Sequence, residues 1–339
     1  LVLGGLSLVG LAAVFVGLQR HYDMSPAQVL VRLAEKAGVD HPGMVRLLSP
    51  SPRTASHALD GRIRPAHPRI LLPGLAAWDG RGVPPLLAER VEAYRRLGIE
   101  APSPCQSEGL LALAACWVAT GEAARAEELI RQLREAYLAV PGESDGNVGN
   151  GYELAIAYDL ARTYRGWGVE DRAIVEGKIA RSLRHALILL DDDEMSLWHG
   201  RATLAAAAWL SAVVLEAGEP AGDPGRDLGG DAAREPVRGG MGDRDSARDA
   251  MVARAQGHFL EVLRALALTE GWPEGYFYWI NSRGRILALA ASAYLNGLEG
   301  QRNAEAVRAL LSRVGRWHIY AMRPDQRAQG FGDEGPRVD

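Results

Sequence analysis

The chain has 339 residues, enough for one large domain or two, with Ala, Leu and Arg dominant, Phe scarce and a formal net charge of −4. That mild negative charge argues against a nucleic-acid binder, which would carry a basic face. β-branched alternation is nearly absent, which points to helix, and two cysteines are too few for a disulfide framework.

Residues 1–18 are uncharged and apolar and run into Gln19-Arg20-His21. The length only just reaches a membrane span, and it reads either as a signal-anchor helix or as the apolar core of a secretory signal. No clear small-x-small cleavage site follows, so residues 1–20 are taken as a membrane anchor or signal segment, with the anchor favoured. Residues 21–84 are connective, with Pro- and Ser-rich turns. Within them His67 to Pro73 is expected to be extended, because a residue before proline avoids the helical region.

From Pro85 apolar residues recur at three and four. They predict helices over Leu86–Leu97, Leu110–Thr120, Ala123–Leu138, Tyr152–Tyr164, Ala173–Leu190, Leu197–Glu216, Ala247–Leu268, Ile286–Leu298 and Ala304–Tyr320. Short breaks such as Thr120-Gly121-Glu122 join neighbours into antiparallel hairpins. The Ala-rich run 204–215 is expected to be buried on two sides, in an inner layer. Glu122–Glu135, amphipathic and rich in Arg and Glu, suits an outer layer. Residues 217–245, rich in Gly, Asp, Arg and Pro, cannot bury a core and read as a disordered insertion. Cys105 and Cys116 are spaced for one bridge, but Cys116 falls in an apolar helical run and reads as a small buried hydrophobe.

The stretch Thr269–Arg285 gathers Trp272, Tyr276, Phe277, Tyr278 and Trp279 with Glu274, Asn281, Arg283 and Arg285, between two helical patterns. Flat rings stack on pyranose faces, and polar tips orient hydroxyls and carboxylates, so the stretch suits sugar binding. The other reading is an aromatic plug that seals one end of a helical bundle. Asn147 or Asn150 reads as an N-cap for the helix that Tyr152 opens. The acidic run Asp191 to Glu194 reads as serving the dipole of a helix start and solvent, with calcium the minor alternative. No cofactor or metal motif stands out.

Three segments in order carry a family resemblance. HPRILLPG at 67–74 resembles the HPRL-type segment that precedes the toroid in heparinase II/III-like polysaccharide lyases. GWPEGYFYW at 271–279 resembles that family's W-x-EG-x-x-Y-W loop, and RPDQRAQGFGDEG at 323–335 its RPDG…GD strand-turn. The resemblance implies an all-α domain over 85–322, an incomplete (α/α) toroid of antiparallel helix hairpins. A C-terminal β-sandwich would follow, of which 323–339 is the start and the rest is missing or truncated.

It also implies β-elimination at a uronic acid, with no cofactor. Tyr278 matches the motif tyrosine and is the candidate for proton transfer at the glycosidic oxygen, with Tyr276 as substitute. Glu274 matches the motif acid. Asn281, Arg283 and Arg285 are candidates for holding the uronate carboxylate, and Trp272 and Trp279 for contacting sugar. Family members open an inner helix with Asn-His-Asn or Asn-Trp-Asn, where this chain has Leu197-Trp198-His199. If His199 fills the histidine slot, the preceding Asn has become Trp198. If Trp198 fills the aromatic slot, His199 replaces the second Asn. Either way Arg201 is left for the carboxylate, and Tyr152 is placed along the same groove.

The expected function is therefore a polysaccharide lyase acting on an acidic, uronate-containing polymer, in the cell envelope, exported to the periplasm or held at the membrane by the N-terminal apolar segment. Two alternatives stand beside it. One is a non-catalytic exopolysaccharide-binding relative. The other is a tetratricopeptide-like α-solenoid interaction protein, suggested by the small-residue spacing at 111–133.

Overall fold

A computed structural model describes residues 59–72, 104–106, 108–142, 148–191, 199–215, 241–269 and 284–321, together with Val16 and four helical residues, Ala88, Glu89, Glu92 and Arg96. The described chain is all-α. Eight helices follow one another: α1 Leu110–Thr120, α2 Ala123–Glu135, α3 Gly151–Ala161, α4 Val169–Leu190, α5 His199–Val214, α6 Met241–Thr269, α7 Gly284–Gly297 and α8 Ala304–Ala321. A two-residue antiparallel pairing joins β1 (Arg62–Ile63) to β2 (Leu298–Glu299), with Arg62 opposite Glu299. The calls on residues 1–15 and 17–20, 216–240 and 322–339 lie outside the described residues. No described helix is long and apolar enough to cross a membrane.

The helix bounds follow local chemistry. Gly109 and Gly121 bracket α1, and Gly121 takes the left-handed conformation (φ 65°) that closes a helix, its N–H donating to Trp117 O at 2.8 Å. Only α6 begins well before its expected start, at Met241 rather than Ala247, so the backbone of 241–245 is helical rather than part of an insertion.

The helices pack as two rows. In one row α1 lies beside α3, α3 beside α5 and α5 beside α7; in the other α2 lies beside α4, α4 beside α6 and α6 beside α8. Each odd helix also packs against the even helix that follows it. The first row is the more buried. Gly151–Ala161 is buried throughout α3, and Ala202–Leu215 is buried across all faces of α5. Sixteen-residue α5 can be this apolar because α3, α4, α6 and α7 all pack on it. By contrast α2 buries only Ala126, Leu129, Ile130 and Leu133, and its Arg131 pairs with Glu128 and Glu135 on the outer face.

Helices α3, α5 and α7 run in the same direction. Asp159 near the carboxyl end of α3, Val213 at that end of α5 and Ser292 and Asn296 on the last turns of α7 all meet the turn His67 to Ile70. This turn corrects the expectation of an extended segment. Its His67-Pro68 peptide is cis, and the chain bends around the fully buried carboxylate of Asp159. Asp159 accepts from Arg69 N and Ile70 N at 2.8 Å, and His67 Nδ1 lies 2.6 Å from its Oδ1. Arg69 Nη1 donates to Val213 O at 3.0 Å, satisfying a carbonyl that the end of α5 would otherwise leave open. The HPRI segment is thus a clasp across three helix ends.

A second buried carboxylate works the same way. Asp60 accepts from the Tyr294 hydroxyl (2.5 Å), Arg302 N (2.9 Å) and Asn303 Nδ2 (2.5 Å), and its own N–H donates to Gln256 Oε1 (2.6 Å). Burial alone would raise its pKa, but the donors from Tyr294, Arg302 and Asn303 outweigh burial and hold it well below the usual carboxylate range. Together the two carboxylates bind residues 59–72 to the carboxyl ends of the buried row.

A disulfide between Cys105 and Cys116 corrects the reading of Cys116 as a free hydrophobe. The turn Pro104–Gln106 brings the two Cα atoms to 4.8 Å, so Cys116 is both buried and bonded.

Candidate functional site at the amino ends of the buried row

The carboxyl ends of α3, α5 and α7 are filled by residues 59–72. Their amino ends carry the candidates the sequence singled out. Tyr152 is the second residue of α3, His199 the first and Arg201 the third of α5, and Arg285 the second of α7. These helices are neighbours in one row and point the same way, so their positive dipole ends share one end of the bundle. The aromatic stretch leaves α6 at Thr269 and rejoins the chain at Gly284, the first residue of α7. Tyr278, Tyr276, Glu274, Trp272, Trp279, Asn281, Arg283 and Trp198 lie outside the described residues, as does the side chain of His199.

The structure brings Tyr152 and Arg285 together across the face of α5. Tyr152 is buried, and its hydroxyl donates to Glu153 Oε1 at 3.1 Å. The exposed Arg285 side chain reaches the same hydroxyl within hydrogen-bonding range. Burial first, then the Glu153 carboxylate, raises the pKa of Tyr152, and the Arg285 guanidinium opposes that rise. The phenol therefore stays protonated at neutral pH and serves as a hydrogen-bond donor rather than a base. Asn150, expected as an N-cap, makes no side-chain cap on α3. Instead its Oδ1 accepts from Ala139 N (2.7 Å) and its Nδ2 donates to Tyr137 O (2.9 Å), tying the chain after α2 to the start of α3.

On the other side of α5 lies a cluster that sequence reasoning missed. Asp191 sits at the carboxyl end of α4 rather than at a helix start, and its side chain is buried. Arg254 pairs with its Oδ2, and His258 Nε2 lies 3.0 Å from its Oδ1. Glu261 Oε2 stands 3.8 Å from His258 Nδ1 and 4.0 Å from Arg201 Nη2. Asp191 is therefore neither a solvent acid nor a calcium ligand here; it holds two cationic or hydrogen-bonding partners on α6. Among the described residues, no three His, Cys, Asp or Glu side chains stand together as a metal site. A lone histidine on an amphipathic helix carries no local signal, and only the contact with Asp191 identifies it.

Burial, then the Arg201 guanidinium, push His258 down to about 4, with Arg254 adding to the effect and Glu261 opposing it. The ring is neutral in the folded chain, and Nε2–H donates to Asp191. The unfolded chain then binds the extra proton between about 6.5 and 4, so folding stability present above pH 6.5 is lost as pH falls through that window. The full loss is roughly 3 kcal/mol. Urea midpoints at pH 7, 5.5 and 4.5 should show it, and His258→Gln should flatten the slope over that window. An unchanged slope contradicts a neutral buried His258.

No family model, curated protein or solved structure matches the chain.

Proposed function

We propose that the protein is a polysaccharide lyase of the heparinase II/III-like kind, its helices arranged as an incomplete (α/α) toroid, acting on a uronate-containing polymer. The observation that carries this reading is the meeting of Tyr152 and Arg285 beside Arg201, at the end of the bundle where three parallel helix amino ends converge. Guanidinium groups and helix amino ends both favour a carboxylate, the group that distinguishes a uronic acid from a neutral sugar. The disulfide supports an oxidising compartment, as expected of an exported or membrane-anchored envelope protein.

In the reaction a base takes the C5 proton, the C4–O bond breaks, a C4–C5 double bond forms and an acid protonates the leaving oxygen. Arg285 and Arg201, with Asn281 and Arg283, hold the C6 carboxylate and absorb the charge that builds as the proton leaves. Tyr278, with His199 as its partner, transfers the proton, and Tyr276 stands in for it. Glu274 orients the site, and Trp272, Trp279 and Trp198 contact sugar faces. Tyr152, protonated, donates to a substrate oxygen.

A double bond conjugated with the carboxylate absorbs in the ultraviolet. The full chain incubated with alginate, heparan and other polyuronates should generate that absorbance, and Tyr278→Phe should slow it by about 100-fold or more. An unchanged rate in Tyr278→Phe removes the assignment of that residue. No absorbance from any polyuronate removes the lyase reading. Binding that persists without cleavage favours the second reading, a non-catalytic exopolysaccharide-binding relative, for which Leu197-Trp198-His199 speaks because it lacks the family's asparagines.

A further inference from the structure

We propose that His258 is a positioning residue for Arg201. Five side chains of alternating character form one line from the end of α4, across α6, to the first turn of α5: Arg254, Asp191, His258, Glu261 and Arg201. Asp191 is fixed by burial and by Arg254, and it accepts the Nε2–H of His258 at 3.0 Å. The ring, only 10% exposed, is thereby held so that Nδ1 faces the Glu261 carboxylate at 3.8 Å. Glu261, more exposed at 43%, then lies 4.0 Å from the Arg201 guanidinium, which is itself 16% exposed.

Each link constrains the next. A histidine that turned over would lose its donor to Asp191, and a Glu261 without the ring beside it would swing into solvent. Arg201 would then lose the acceptor that keeps its guanidinium over the amino end of α5, where a bare Arg has many rotamers to choose from. Neutrality of the ring matters to this arrangement. An imidazolium would stand between Arg201 and Arg254 and repel both. The part of Arg201 in binding a substrate carboxylate rests on the lyase reading; its placement by His258 does not.

The test separates the two. Phenylglyoxal labels arginines according to exposure and pairing, and mass spectrometry of the full chain reads Arg201 by itself. His258→Ala should speed Arg201 labelling about threefold, the scale set by loss of a half-exposed ion pair, and His258→Gln, whose amide can still donate to Asp191, should restore the wild-type rate. Should His258→Ala fold poorly, Glu261→Gln decides, because it removes the charge at a half-exposed position and should give the same acceleration. Wild-type labelling rates in Glu261→Gln and in a folded His258→Ala would overturn the proposal. On polyuronate, His258→Ala should raise KM severalfold with kcat nearly unchanged, and His258→Gln should reverse that rise. If wild-type protein cleaves no polyuronate, the lyase reading fails and the labelling result still decides the role of His258.

Discussion

Asp159→Ala should lower the free energy of unfolding by about 3–5 kcal/mol, the range for stripping one partner from a buried charged network. Asp159 is fully buried and accepts from two backbone N–H groups, those of Arg69 and Ile70, with His67 Nδ1 as a third neighbour. None of these groups has water to turn to when the carboxylate is gone. The turn would also release Arg69, which satisfies Val213 O at the end of α5. Chemical denaturation of the variant beside the wild type measures the loss. A change below about 1 kcal/mol would show that the clasp is not what binds residues 59–72 to the helix ends. Asp159 lies at the end of α3 away from Tyr152, so glycan binding by the folded fraction should stay as it was.

Arg285→Ala should act the other way round, with little effect on folding and a large one on the ligand. Arg285 is exposed on the second position of α7, and such surface substitutions usually shift stability by less than about 0.5 kcal/mol. A hydrogen-bonded charge pair with a uronate carboxylate is worth about 1.5–3 kcal/mol, so affinity for an oligouronate should fall roughly 10- to 100-fold by calorimetry. The same variant removes the one cation that opposes the raised pKa of Tyr152, so that phenol should ionise at still higher pH in an ultraviolet titration. Unaltered affinity would take Arg285 out of the binding end.

Much of this fold is written in local pattern, and the part that is not depends on distant partners. Leu110–Thr120 is set by its own periodicity and by Gly109 and Gly121, so the expected and observed bounds coincide. The burial of Ala202–Leu215 on all sides follows from a run of small apolar residues. The start of α6 was missed because Gly and Asp around 241–245 read as disorder by composition. Asp243 and Asp245 are also acids of the kind that suit a helix amino end. His67 to Ile70 reads as extended only while Asp159 is unseen, 90 residues away from Arg69. Cys105 needed its turn, and His258 needed Asp191. At the candidate site, sequence placed Tyr152 and Arg285 along one groove, but that their side chains meet comes from helices α3 and α7 flanking α5 in parallel.

Binding of an acidic oligosaccharide to the isotope-labelled chain, followed by nuclear magnetic resonance, tests the placement of the site most directly. The account predicts that a short oligouronate perturbs the signals of Tyr152, Glu153, Arg201 and Arg285 and leaves those of Asp60, Ile70 and Asn296 where they were. Perturbations gathered at the clasp end, or none at saturating oligouronate, would contradict it.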